Sequence, residues 1–316
     1  MKKVASTLAV FTASAALVWA TGMPAQASGI GPQSDDFLAT YAYSQLNPGV
    51  QPTGSNNWSC KPSEQNPRPV VLVHGTFENQ YADWSNLAPV LQRTGYCVFS
   101  LDYGKNRDSV AAIPPGVNGT GDIAASAKEL GGFVDKVLAA TGAGKVDIVG
   151  HSQGGMMPRQ YLKAEGGAAK VQNLVGIAPS SHGTTGFGTS KLIGQLSRFG
   201  VTQAIAGKAA EQQTAGSDFL NQLNAGGDTL PGVNYTVIVT KYDQVVTPYE
   251  SGFLEAGPGA TVNNITLQNG CEVDASDHLN IVNSPRAIYF VQKALNPQFR
   301  NGILDIAPCT VRAPSI

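Results

Sequence analysis

Charge is scarce in this chain. Only 14% of its 316 residues are Asp, Glu, Lys or Arg, and the 21 basic side chains nearly cancel the 22 acidic ones. That balance leaves no electrostatic footprint for nucleic acid or for an anionic membrane surface. Cysteine is also sparse, with Cys60, Cys97, Cys271 and Cys309 far apart. The absence of a C-x-x-C spacing argues against a zinc site. No carboxylate cluster calls for calcium, and neither a metal nor a cofactor is expected. Internal repeats and interdomain linkers are missing. After the first twenty residues no apolar run is long enough to span a bilayer. What remains is a Gly-rich, 42% hydrophobic, globular composition with four histidines to serve any acid–base chemistry.

The first residues form a basic start, Met1-Lys2-Lys3, then an apolar run from Val4 to Ala20, then the small-x-small site Ala25-Gln26-Ala27. This order describes a secretory signal peptide over 1–27 better than a retained membrane helix. The mature chain then begins at Ser28 and holds 289 residues. Without Lys2 and Lys3 it has 19 basic against 22 acidic residues, a net charge of −3. It is expected to be one secreted catalytic domain over 28–316, a monomer, with no integral membrane segment after signal removal. Four cysteines in an exported chain imply two disulfides, for which three pairings exist. The favoured pairing joins sequence neighbours, Cys60–Cys97 and Cys271–Cys309. Each would close a loop of under forty residues, worth about 4 kcal/mol on the chain-entropy model.

Along the chain, residues 28–69 read as a surface arm with a short helix near Asp36 to Leu46. Pro69 to Thr76 contains a continuous apolar strand, as expected where both faces of a parallel sheet are covered. Asp83 to Arg93 has helical spacing, with Asp83 as a plausible N-cap. Tyr96 to Leu101 reads as a strand, and Asp102 to Gly121 as a loop. Asp122 to Ala140 is an amphipathic helix ended by Gly142 and Gly144. Val171 to Ala178, Tyr235 to Thr240 and Asn263 to Leu267 are further strands, and Pro285 to Leu295 is a closing helix. Alternating strands and helices predict an α/β fold: a mostly parallel central sheet of about six core strands, with helices on both faces.

The chemistry centres on Lys145 to Gly155. The β-branched run Val146-Asp147-Ile148-Val149 enters Gly150-His151-Ser152-Gln153-Gly154, and a helix-compatible segment follows. Strand, tight turn and helix around G-x-S-x-G is the setting of a nucleophile elbow, with Ser152 as nucleophile. Pro158 in the following helix is expected to kink or delay it. A serine hydroxyl needs a base, and the base needs an orienting group. In this fold they follow in the order Ser, acid, His, which leaves His182 and His278. His278 sits in a polar loop after the last strand. His182 precedes any plausible acid and reads as a pocket-wall residue. His151, beside the nucleophile, is expected to orient backbone, and His74 to be buried and satisfied. The acid is Asp243, three residues beyond the strand Tyr235 to Thr240. Asp274 and Asp277 are too near His278 in sequence to orient it easily. Oxyanion donors come from the Gln153 backbone N–H and from the His74-Gly75-Thr76 loop, where the Thr76 hydroxyl offers a third.

Several stretches together, VVLVHGTFENQYADW, GYCVFSLDYG, KVDIVGHSQGG, YTVIVTKYDQVVTP and the C-x₆-H segment ending at His278, resemble the secreted triacylglycerol lipases of actinobacteria. These belong to the α/β-hydrolase superfamily, and the chain is more distantly similar to Candida antarctica lipase B. The resemblance covers about Ser55 to Cys309. It implies Ser152, Asp243 and His278 as nucleophile, acid and base, and Thr76 and Gln153 at the oxyanion hole. It also supports the disulfide pairing above. The implied activity is cofactor-free hydrolysis of carboxylic esters, commonly acylglycerols, with an ester or lipid substrate met in some cases at an oil–water interface. Related readings are an acyltransferase or polyester hydrolase with the same three residues, and, in another class, a non-catalytic secreted binding protein of this fold. Residues 185–228, with Leu192, Ile193, Leu196, Phe199 and Ile205, form a candidate cap or lid.

Overall fold

Apolar strands build the centre. A computed structural model describes residues 29–185 and 201–315. The segment 1–27, expected to be a signal peptide, and Leu192, Ile193, Leu196 and Phe199 of the candidate lid, lie outside the described residues. Two short strands, β1 (Ile30–Gly31) and β2 (Gln51–Pro52), pair in parallel on either side of α1 (Phe37–Leu46), which Asp36 caps. The main sheet consists of β3 (Val70–Val73), β4 (Val98–Leu101), β5 (Val146–His151), β6 (Val171–Ile177), β7 (Asn234–Val239) and β8 (Thr261–Thr266). Its order is β4-β3-β5-β6-β7-β8, and every pairing is parallel.

All four residues of β3 are fully buried. Val71 and Val73 join the core on one face, and Val70 and Leu72 join the core on the other. This is the period-2 alternation of a strand covered on both sides. One face is closed by α4 (Ile123–Thr141) and α5 (Gln153–Ala164), which contribute Leu130, Val134, Met156 and Leu162. The other is closed by α1, α3 (Leu87–Arg93) and α9 (Pro285–Leu295), through Phe37, Leu87, Leu91, Ile288 and Val291. Among the described residues no helix is long and apolar enough to cross a membrane.

The helix expected over 83–93 is divided. α2 (Gln80–Trp84) begins earlier because the Asn79 side chain accepts from the Tyr81 and Ala82 amides, and α3 follows after a break. Asp83 is therefore not a cap; it lies inside α2, fully buried. The helix through Pro158 does not break, since α5 runs on to Ala164. The region before β7 is helical in pieces: α6 (Val201–Ala206), α7 (Lys208–Gln212) and α8 (Asp218–Asn224).

Two disulfides fasten the ends of the chain. Cys60–Cys97 joins the leader to the residue before β4, where Asn56 also bonds Val98 and Ser100 on that strand. Cys271–Cys309 joins the loop after β8 to the C-terminal tail, which continues by pairing Arg312 with Val273 and Ala275.

The sequential order of strands reverses between β3 and β5. Ligand sites in open parallel sheets lie at such a switch point, beyond the carboxyl ends of the strands. The loops leaving β3 and β5 there are the one carrying Gly75 and Thr76 and the one carrying Ser152.

Candidate active site

Ser152 occupies the turn between β5 and α5 with φ 53° and ψ −121°. A side chain other than glycine rarely adopts this region, and holding it there costs about 1–3 kcal/mol. The neighbouring glycines allow the turn. A Cβ on Gly150 would overlap the Gly154 carbonyl, and one on Gly154 would overlap the Val73 and His74 carbonyl oxygens. The spacing G-x-S-x-G is thus a steric consequence of packing the elbow against β3.

His278 and Asp243 come together from loops that follow different strands. The His278 Nδ1 lies 2.8 Å from Asp243 Oδ2. The other carboxylate oxygen, Oδ1, accepts from the Val245 and Val246 amides at 2.9 and 2.7 Å, which fixes the carboxylate plane. Gln244 steadies the same junction: its Oε1 accepts from the His278 amide and its Nε2 donates to Asp277. All three side chains, Ser152, Asp243 and His278, are buried.

Ser152 and His278 line one cavity of about 310 Å³ together with Thr76, Phe77, Val245, Val246 and Leu279. Its far wall comes from the segment before β7, with Ala206, Ala210, Gln213 and Thr214. The Thr76 Oγ1 accepts two amide hydrogens, from Gln153 Nε2 at 2.7 Å and Gln213 Nε2 at 2.8 Å. With both acceptor positions filled, the hydroxyl hydrogen is the part of Thr76 left to serve another group. The Gln153 backbone N–H is in the first turn of α5, where no intrahelical acceptor exists. The two donors expected from sequence therefore stand at the ends of β3 and β5. Gln213 was not foreseen; it lies in a weakly patterned region, and only tertiary structure brings it to Thr76.

Behind the cavity is a buried polar cluster that sequence reading missed. Gly75 N donates to Glu78 Oε2 and to Asp83 Oδ2, both at 2.9 Å. His151 Nδ1 faces the same two oxygens at 3.0 and 3.2 Å. On its other side, His151 Nε2 is 2.9 Å from the His278 carbonyl oxygen. Burial and the Asp83 charge push the Glu78 carboxyl up to about 8, against a partial pull from His151. Burial also works against ionisation of Asp83, but the charge and hydrogen bonds of His151 outweigh it and hold Asp83 below its ordinary value. His151 is opposed by burial as well, yet Glu78 and Asp83 raise it well above 6.5. The shift of His151 favours a proton on both of its nitrogens, so that Nδ1 donates toward the two carboxyl groups and Nε2 to the His278 carbonyl. The three side chains present ligand-type atoms within 4.8 Å of one another. The Gly75 N–H points into that space, which is the wrong polarity for a cation, so the cluster is closed by hydrogen bonds.

The remaining histidines have other partners. His74 is fully buried, stacks on Tyr103 with ring centres 4.3 Å apart, and its Nδ1 lies 2.7 Å from the Gly75 carbonyl. His182 is not among the residues lining the cavity. It bonds Asp228 and the Ser251 carbonyl instead, in a network where the buried Arg159 also holds Asp228.

Comparison with known proteins gives a consistent result. The family model described as Lipase (class 2) matches residues 67–290. Triacylglycerol lipases from Pseudarthrobacter phenanthrenivorans and Burkholderia plantarii are each 38% identical over 102 residues, 30% of this chain. The matched stretch is 28% of the first and 25% of the second, so the chain spans about a quarter of the length of these curated relatives. Among solved structures, Aspergillus fumigatus lipase B superposes with a TM-score of 0.60 at 20% identity, covering 78% of this chain and 55% of that one. At that identity the likeness establishes the α/β-hydrolase fold.

Proposed function

The chain belongs to the class 2 lipase family, and from that premise we propose that it is a secreted serine hydrolase cleaving carboxylic esters, acylglycerols among them, through an acyl-enzyme on Ser152. The observation that carries this reading is the 2.8 Å contact of His278 Nδ1 with Asp243 beside a strained, cavity-lining Ser152. Asp243 holds the imidazole with Nδ1 protonated, which leaves Nε2 free to take the Ser152 proton. The hydroxyl oxygen attacks the ester carbonyl. The Gln153 N–H, the Thr76 N–H and the Thr76 hydroxyl receive the oxyanion, and two glutamine amides orient that hydroxyl. His278 then protonates the departing alcohol, and water repeats the sequence on the acyl-enzyme.

The apolar cavity lining favours an acyl chain over a polar group. Residues 1–27 act as the export signal and 28–316 as one catalytic domain. Within it, Thr202, Ala206, Ala210, Gln213 and Thr214 line the cavity, which supports a cap role for the segment 185–228. Two disulfides in the described chain support an oxidising, extracellular destination.

The test is Ser152→Ala in folded protein. Hydrolysis of a p-nitrophenyl ester and labelling by a fluorophosphonate should both vanish; activity near wild type would refute the proposal. A panel running from short esters to long-chain triacylglycerols separates esterase from lipase action.

A further inference from the structure

From the buried contacts around His151, we infer that this histidine is a positioning residue for the catalytic base: its Nε2–H holds the His278 backbone carbonyl, and Glu78 and Asp83 hold His151. The inference rests on the proposed role of His278 and adds to it a second support, independent of Asp243.

Asp243 fixes the His278 ring, but a ring can be fixed relative to a carboxylate and still swing as the loop 271–278 shifts. The bond from His151 Nε2 to the His278 carbonyl, 2.9 Å long, addresses that motion. It ties the base's own backbone to the residue preceding the nucleophile. His151 and Ser152 are adjacent, so the base loop and the elbow share one anchor. The ring centres of His151 and His278 are 4.9 Å apart, and both residues are buried.

The anchor is itself held. Its Nδ1 faces Glu78 Oε2 and Asp83 Oδ2, and both oxygens also accept from Gly75 N. Gly75 precedes Thr76, so the oxyanion loop is bound to the same cluster. Three loops leaving the ends of different strands therefore meet in one hydrogen-bonded unit. A buried residue serving only packing needs no donor on both ring nitrogens, and a buried charge-bearing cluster is costly unless its polar atoms are matched.

Two variants separate positioning from packing. The His151→Gln side chain carries an amide N–H at about the reach of Nε2 and can still meet the His278 carbonyl. The His151→Asn side chain stops at about the reach of Nδ1, so it can meet the two carboxylates but not that carbonyl. Both remove the imidazolium. Steady-state hydrolysis of p-nitrophenyl butyrate, fluorophosphonate labelling rates and Tm are measured for the full-length secreted protein. His151→Asn is expected to lose about 100-fold in kcat, the scale of a 1 Å misplacement, with KM within about twofold. His151→Gln is expected to stay within about tenfold of wild type and to label at least five times faster than His151→Asn. Equal kcat for the two variants, a better His151→Asn, or a His151→Gln protein that does not fold would overturn the inference. An inactive, unlabelled wild type would instead refute the role given to Ser152 and His278.

Discussion

Replacing Asp243 with Asn tests the proposed acid with almost no change of shape. Oδ1 of Asp243 accepts from two backbone amides, Val245 and Val246, and Oδ2 faces His278 Nδ1. The asparagine has one carbonyl oxygen for these two tasks. If the oxygen keeps the backbone amides, its NH₂ faces Nδ1. The imidazole hydrogen then moves to Nε2, the tautomer that cannot accept a proton from Ser152. A loss of this kind is about 10⁴-fold, or about 5.5 kcal/mol. If the amide rotates, the tautomer is preserved, but the part-buried Val245 N–H and the buried Val246 N–H face an NH₂. Leaving each unsatisfied costs about 1–3 kcal/mol, so rotation costs about 2–6 kcal/mol. The cheaper route governs turnover, and the fall in kcat should lie between about 30-fold and 10⁴-fold. The unrotated side chain, which keeps both backbone bonds and the volume of Asp243, is the ground state, so Tm should move by no more than about 2 °C. The assay is kcat on p-nitrophenyl butyrate beside a melting curve. A loss smaller than tenfold in a protein with wild-type Tm would refute the role given to Asp243.

Two further outcomes are expected. Cutting the Cys271–Cys309 link by Cys271→Ser with Cys309→Ser opens a loop of 38-residue separation, worth about 4 kcal/mol on the chain-entropy model. At about 2.1 cal/mol/K per residue the proposed catalytic domain, 28–316, has an unfolding entropy of about 0.6 kcal/mol/K, so calorimetry should show Tm falling by about 6 °C; a drop below 2 °C would contradict this reasoning. For His182, the Asp228 hydrogen bond outweighs burial and raises its folded pKa above 6.5. Its contribution is complete below pH 6.5 and is lost as pH rises through that higher value. The Tm gap between wild type and His182→Gln should be widest near pH 6 and narrow toward pH 9, and a gap constant across that range would argue against the ion pair.

Local signals in the sequence carry the sheet and the elbow, because each depends on neighbours in the chain. Val70 to Val73 is apolar on consecutive residues since both faces are covered, and Gly150 and Gly154 are dictated by a turn five residues long. Asp36, Asp122 and Gly142 cap helices by contacts within one turn. Asp83 defeats the same logic. It stands where a cap would be read, but Asn79 has already started the helix, and its carboxylate is committed to Gly75 and His151 from elsewhere in the chain. Glu78 and Gln213 have no local signature at all: one is a charged residue in a polar loop, the other a glutamine just past the end of a five-residue helix. A charge set among Tyr81, Ala82 and Trp84 was the single available hint that Asp83 is buried and matched. The partner of His182 is hidden for a related reason, since its position in a loop after β6 says nothing of Asp228, 46 residues later.

The pairing of β3 with β5 also sets an order of events. Val70 of β3 lies against Val98 of β4, 28 residues on, and against Asp147 of β5, 77 residues on. A chain synthesised from its amino end presents β3 long before its second neighbour exists. The last rung of that ladder joins Val73 to Gly150, and it is the rung that sets Gly75 and Thr76 beside Ser152. Closing the centre of the sheet and assembling the reactive corner are therefore one step. In a refolding experiment, hydrolytic activity should return with burial of β3, and no earlier intermediate should turn over ester.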